Sequence, residues 1–317
     1  MVRWGILGCG SIATHAIAPA IGWSRNGTLA AVASRDSGTA EARRARIGAA
    51  RAHGTYEALL RDPNVDAIYI GLPNGLHASW AIAAAEAGKH VLCEKSLALD
   101  AGDALRVASA FRQRGLRLVE AFMYRHHLQW DVVRGLLSSG AIGELRTVRA
   151  GLGGFIDASD HRWSADLGGG ALFDVTCYGL DAIRFLVGSE PLEVVAVRAM
   201  RRAVDEESCV SLAFAGGVLA SAWGSLRSAP EQFVTVTGSV GRLEIEKPFV
   251  PGWSTVHLRV VREGDDRTIA VPGANHYLHM VEHFAALVLD PSRTSFPAED
   301  GEANVALCDA ARRAGTE

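Results

Sequence analysis

The sequence predicts an α/β domain with a doubly wound parallel sheet, followed by an α+β domain with a predominantly antiparallel open sheet. Three observations carry that prediction. Over the first 120 residues, short apolar runs alternate with helical patterns. A glycine-bearing turn, Gly8-Cys9-Gly10-Ser11-Ile12-Ala13, separates the first apolar run from the first helix. After about residue 122 the alternation gives way to strand-like runs joined by short links. The chain has 317 residues, 49% of them apolar, enough for two domains with sizeable cores. The division is drawn at 1–122 and 123–317.

In the first part the predicted strands are Val2–Leu7, Leu29–Ala33, Ala67–Gly71, His90–Cys93 and Arg117–Glu120. Helical patterns over Ser11–Trp23, Gly38–Ile47, Tyr56–Arg61, Gly75–Ala87 and Ala101–Arg114 lie between them. Asp62-Pro63-Asn64, Ala87-Gly88 and Gly115 supply the turns. Strands separated by helices pair in parallel, because a parallel crossover is too long for a tight turn.

In the second part a helix near Leu128–Ser138 is followed by Gly143-Glu144 and a strand over Arg146–Gly151. A largely apolar helix spans Gly170–Val187. Strand-like runs then cover Leu192–Met200, Cys209–Phe214, Val218–Ser225, Phe233–Gly238, Arg242–Glu246, Thr255–Val261 and Arg267–Val271. Gly216-Gly217 and Gly264-Asp265-Asp266 read as hairpin loops, which makes neighbouring strands antiparallel. Helices around Tyr277–Leu289 and Ala298–Arg313 close the chain.

Composition narrows the function. The net charge is −3 with no basic stripe, which argues against nucleic acid as the main partner. Five scattered cysteines without a C-x-x-C suggest neither a disulfide framework nor a thiolate metal site. No apolar run reaches membrane-spanning length and the first apolar residues belong to a strand, so a cytoplasmic location is expected. Only three of the 32 basic residues are lysine (Lys89, Lys95, Lys247), so a retained lysine draws notice where a compact ammonium would be useful.

Strand, glycine turn and helix together form a dinucleotide cradle. Gly8 and Gly10 let the backbone approach a pyrophosphate, and Ser11, Ile12 and Ala13 present the free N–H groups of a helix start. The second strand ends at Ser34-Arg35, where a hydroxyl and a guanidinium suit a 2′-phosphate, so NADP is favoured over NAD. Asp36 is the counter-evidence, since a carboxylate there could accept from a ribose 2′-OH. Leu72-Pro73-Asn74 and His77 follow the next strand, and Glu94-Lys95 follows the one after; ligands bind beyond such strand ends. On the apolar helix, Asp174, Tyr178 and Asp181 fall on one face. A polar stripe there must find partners or line a cavity.

These stretches carry a resemblance to the glucose–fructose oxidoreductase/inositol dehydrogenase (Gfo/Idh/MocA) family. It rests on Gly8–Ala13, Leu72–His77, Ala87–Lys95, Glu120–Arg125, Leu167–Tyr178 and Pro297–Asp300, and covers nearly the whole chain. The chain is most similar to the branch of dihydrodiol dehydrogenases, NADP-linked xylose dehydrogenases and glucose–fructose oxidoreductase. The resemblance implies a Rossmann domain, a predominantly antiparallel sheet domain, catalysis in a cleft and a homodimer or larger homo-oligomer. The family's Glu-Lys-Pro lysine maps onto Lys95, and its catalytic-helix histidine is here Tyr178, as in that branch. Ser96 stands in place of the usual proline, Gly71 where a hydroxyl residue is common, Leu128 in place of proline and Asp181 in place of asparagine.

The expected chemistry is hydride transfer between nicotinamide C4 and a carbinol or carbonyl carbon of a sugar, polyol or dihydrodiol. Tyr178 is the expected acid/base and Lys95 its supporting cation. Arg125, His161, Arg162, Asp174 and Asp181 are candidates for substrate hydroxyls. Two alternatives stand beside it. One is a non-catalytic NAD(P)-binding regulator, which would not need Lys95 and Tyr178 together. The other is a zinc hydrolase, because His279-Met280-Val281-Glu282-His283 matches H-x-x-E-H; no metal is expected on the main reading.

Overall fold

The computed structural model describes residues 1–294 and 298–316. Pro297, part of one resembling stretch, lies outside them. Contacts divide the chain into two units.

The first unit comprises Met1–Phe122 and His276–Val305, a return that a linear division at 122/123 does not include. Its sheet has strands β1 (Val2–Leu7), β2 (Gly27–Ala33), β3 (Arg51–His53), β4 (Ala67–Ile70), β5 (His90–Cys93) and β6 (Leu118–Glu120). The order is β3-β2-β1-β4-β5-β6, parallel throughout. Sequence order reverses between β1 and β4, the position at which such sheets take ligands. Every residue of β4 is buried, as expected of a strand covered on both faces. Leu7, Ile68, Ile70, Val91 and Phe111 are fully buried in the core of this unit.

Helices α1 (Ala18–Trp23), α2 (Ser37–Ile47), α3 (Tyr56–Leu60), α4 (His77–Glu86) and α5 (Ala101–Arg112) alternate with the strands. A π-helical turn, Ala13–Ile17, precedes α1. The helix begins at Ser11 as expected and passes through this wider turn, where the Thr14 hydroxyl and N–H both donate to Gly10 O. The returning segment belongs here because Phe284 packs on Trp4 of β1, ring centroids 5.2 Å apart. Glu282 also accepts from Arg25 through Nε at 3.0 Å and a terminal nitrogen at 2.9 Å.

The second unit comprises Met123–Asn275 and Ala306–Glu317. After α6 (Gln129–Ser138) come β7 (Leu145–Phe155) and α7 (Cys177–Val187). Strands β8 (Glu193–Arg201), β9 (Val204–Ala213), β10 (Leu219–Ser225), β11 (Arg227–Gly238), β12 (Gly241–Ile245), β13 (Val256–Arg262) and β14 (Asp265–Val271) follow. Helix α8 (His276–Leu289) and the first part of α9 (Ala298–Ala314) belong to the first unit; the second unit resumes within α9 at Ala306 and ends with the short β15 (Gly315–Thr316). The sheet order is β14-β13-β12-β11-β7-β10-β9-β8-β15. Only the β7–β10 and β8–β15 pairs are parallel among the described residues. The sheet is therefore predominantly antiparallel.

Strand β7 runs past the break expected at Gly151. Its glycines provide clearance for cross-strand rings: a Cβ on Gly151 would meet Phe233 at 2.5 Å, and one on Gly153 would meet Trp223 at 2.6 Å. Glu263 and Gly264 turn the last hairpin, while Asp265 and Asp266 belong to β14, where Asp266 accepts from Arg259 Nε at 2.9 Å.

Candidate active site

In the first unit, the glycine turn leaves β1 with Gly8 at φ +103°, a conformation that disfavours side chains. A Cβ there would lie 2.6 Å from Gly71 O, so glycine is required between the ends of β1 and β4. Gly10, Ser11 and Ile12 are exposed and Ala13 is buried. A backbone cradle open to solvent at the switch point fits a pyrophosphate.

At the end of β2, Ser34 is half-buried and Arg35 exposed. The Asp36 carboxylate caps α2 by accepting from Thr39 N at 2.6 Å, and hydrogen bonds from the Thr39 side chain and then its backbone hold its pKa below the usual range. That use accounts for an acid beside a phosphate-suited pair. Sequence reading missed Arg43, on α2, which lies with Ser34 beside the Cys9 thiol; burial pushes that thiol's pKa up, and the guanidinium opposes the shift. No local signal separates Arg43 from its neighbours on that arginine-rich helix.

Leu72, Pro73 and Asn74 are partly exposed beyond β4. His77 corrects the expectation that it faces the cofactor. Its ring is fully buried, with Nδ1 2.8 Å from Ser96 O and Nε2 2.7 Å from Leu72 O. Its pKa is lowered to about 4, chiefly by burial, with the two carbonyls opposing the shift and the nearby Lys95 charge adding to it. His77 thus braces the two loops that carry Asn74 and Lys95. Glu120, not singled out from sequence, holds the far side of the second loop by accepting from Leu97 N at 2.8 Å.

Glu94 and Lys95 leave β5 partly buried, and the Lys95–Ser96 peptide is cis. Glu94 accepts from the buried Tyr69 hydroxyl at 2.7 Å. The Tyr69 ring also occupies the space beside Gly71, where a Cβ would meet it at 2.8 Å, which explains the glycine at that position. The other lysines separate clearly from Lys95: Lys89 Nζ donates to Asp62 O and Val65 O at 2.8 and 2.7 Å, and Lys247 is exposed.

In the second unit, Tyr178 lies in the first turn of α7 and is 7% exposed. Its ring stacks edge-on to Phe249, centroids 5.6 Å apart, and its hydroxyl approaches Met123 Sδ at 3.6 Å. The segment leading to it is held by Asp205, a buried carboxylate on β9 that accepts from Leu172 N at 2.6 Å. Gly170, at φ +113°, leaves room for that contact; a Cβ would lie 2.4 Å from Asp205 Oδ1.

Arg125 and Asp181 are corrected as substrate groups. They form a buried ion pair, side chains 5% and 0% exposed, with Arg125 Nε 2.9 Å from Asp181 Oδ2. The Tyr124 hydroxyl donates to the same carboxylate. Burial, followed by the Asp181 charge, pushes the Tyr124 phenol well above its usual pKa, so it stays protonated. Arg162 donates to Asp174 Oδ2 through Nε at 2.8 Å and to both Asp160 oxygens at 3.1 Å. His161 is exposed, 3.1 Å from Asp160 Oδ1. The zinc motif is also spent structurally, since its Glu282 is paired with Arg25. Among the described residues no group of three His, Cys, Asp or Glu could hold a metal, and no helix is long and apolar enough to cross a membrane.

Residues 2–122 match the model of an oxidoreductase family with an NAD-binding Rossmann fold, and residues 130–244 match the GFO/IDH/MocA C-terminal domain. The dTDP-3,4-didehydro-2,6-dideoxy-alpha-D-glucose 3-reductase of Saccharopolyspora spinosa is 37% identical over 96% of this chain and 93% of its own. The NADP(+) D-xylose 1-dehydrogenase 2 of Haloferax volcanii is 36% identical over 90% of this chain and 89% of its own. A 3-ketoreductase from Actinomadura kijaniata, solved in complex with NADP and TDP-benzene, superposes with a TM-score of 0.93 at 32% identity, covering 99% of this chain and 98% of that one. The chain belongs to the GFO/IDH/MocA family of oxidoreductases.

Proposed function

We propose that this protein is an NADP-dependent oxidoreductase acting on a carbinol or carbonyl carbon of a sugar, polyol or dihydrodiol. The observation that carries the reading is full-length similarity to NADP(+)-linked and sugar-reducing relatives in a chain that keeps Lys95 and Tyr178. The cradle at Gly8–Ala13, exposed at Gly10, Ser11 and Ile12, fits the pyrophosphate, and Ser34, Arg35 and Arg43 fit the 2′-phosphate. The bound dinucleotide supplies or accepts the hydride.

Tyr178 supplies the proton chemistry. On alcohol oxidation its phenolate takes the hydroxyl proton as hydride leaves the same carbon; on reduction the phenol returns that proton to the developing alkoxide. A free phenol has a pKa of about 10, too high for a base near neutrality, and Lys95 is the cation assigned to lower it and to stabilise the alkoxide. Tyr124 does not compete, because its proton is held against Asp181. Tyr178→Phe should leave NADP affinity unchanged and reduce turnover about 10²–10⁴-fold. Near-wild-type turnover would remove Tyr178 from the role.

The same reading makes the protein a homo-oligomer through the outer sheet face. Val195 and Val197 on β8 and Leu219 on β10 are 61%, 58% and 57% exposed, an apolar strip on an open sheet. Val195→Lys with Val197→Lys should lower the mass found by sedimentation; an unchanged mass would exclude this face.

A further inference from the structure

A cavity of about 230 Å³ in the second unit is lined by Phe155, Ile156, Trp163, Arg201, Arg202 and Arg227. Three guanidiniums converge there in a chain whose net charge is −3. Among the described residues, ion pairs bring one carboxylate to them: Glu206 lies 3.7 Å from Arg201 and 3.1 Å from Arg227. Arg202 forms no ion pair among the described residues, so these four groups carry an excess of two positive charges. The neighbouring Asp157 carboxylate is engaged by Ser159 N and Oγ at 2.9 and 2.7 Å.

The walls are built. Arg227 pairs with Phe155 across β11 and β7, and Arg201 stacks over the Trp163 ring at 5.5 Å. Trp163 is fixed by its indole N–H bond to Asp157 O at 2.9 Å. Arg202 turns the β8–β9 hairpin at φ +57°, a conformation that favours glycine or asparagine, yet the residue is an arginine. One wall residue is also tied to the segment that leads into the proposed catalytic helix. Trp163 follows Arg162, whose guanidinium is bonded to Asp174, four residues before Tyr178.

We infer that this cavity binds the diphosphate of a nucleoside diphosphate-linked substrate. Resting on the sugar oxidoreductase reading, the inference names the substrate class. Arg201, Arg202 and Arg227 take the phosphoryl oxygens, for which planar guanidiniums are matched. Phe155 and Ile156 offer an apolar wall to the nucleoside. A neutral sugar alone would leave the excess charge uncompensated.

The test is calorimetric titration of dTDP, and separately of inorganic pyrophosphate, into full-length protein saturated with NADP so that the glycine cradle is filled. dTDP should bind more tightly than pyrophosphate. Arg202→Gly, which suits the turn, and Arg227→Gln should each weaken dTDP about 10-fold or more. Both should keep the wild-type melting temperature and NADP affinity. The inference is overturned if dTDP does not bind, if both variants bind it like wild type, or if pyrophosphate binds as tightly as dTDP. Tyr178→Phe separates the two readings. If it and wild type bind dTDP through these arginines but no sugar nucleotide is turned over, the oxidoreductase reading fails and the pocket stands. If free sugars are turned over while dTDP neither binds nor inhibits, the pocket assignment fails and the oxidoreductase reading stands.

Discussion

Replacing Asp181 by asparagine removes one charge from a pair that solvent barely reaches. Asp181 is fully buried, and its partner Arg125 has a side chain only 5% exposed. The amide preserves volume but removes the buried counter-charge of this pair and leaves the Tyr124 hydroxyl facing a weaker acceptor. Breaking a buried pair in this way costs about 3–5 kcal/mol. For a unit of this size, that corresponds to a fall in melting temperature of about 6–20 °C. Differential scanning calorimetry reads it directly, and steady-state kinetics on the same protein reads KM. Arg125→Met with Asp181→Leu, which removes both charges, should recover most of the loss, because desolvation no longer opposes folding. A substrate-binding carboxylate would behave differently. Unchanged melting with a raised KM in Asp181→Asn would refute the assignment of this pair to stability.

Two further outcomes follow from the first unit. Arg35→Ala and Arg43→Ala should each weaken NADP about 10-fold or more while leaving NAD affinity unchanged, measured by fluorescence titration; equal losses for both cofactors would exclude a 2′-phosphate site. His77 makes stability depend on pH. Its folded pKa is near 4 and its unfolded value near 6.5, so the unfolded chain binds more protons in that window. The stabilisation is complete above about pH 6.5 and is lost as pH falls toward 4, by about 3 kcal/mol. Denaturant titrations of wild type and His77→Gln across the window should differ in slope by one proton; parallel curves would contradict the buried neutral ring.

Local rules made much of the fold legible. An apolar run followed by Gly8 announces β1 and its turn, because the left-handed backbone at Gly8 is a property of that position. The cap at Asp36 is local too. The short β3 escaped notice because Arg51, Ala52 and His53 are half-buried and carry no apolar pattern. Gly151 and Gly153 read as a strand end because their reason lies in the rings of Phe233 and Trp223, on other strands. The polar stripe of α7 was visible, but the partner that satisfies Asp181 lies 56 residues away. For His77, spacing placed the residue at a strand end and could not give the direction of its ring. Asp205 gave no signal, since a single acid on a strand becomes informative only when Leu172 N is found against it.

The proposed proton transfer depends most on Lys95 acting on the proton of Tyr178. The direct measurement is the pH dependence of alcohol oxidation, followed by reduced-nicotinamide absorbance, in wild type, Lys95→Met and Tyr178→Phe. The wild-type limb should have an apparent pKa below the free phenol value of about 10, shift upward in Lys95→Met and disappear in Tyr178→Phe. Superimposable profiles in all three proteins would contradict it.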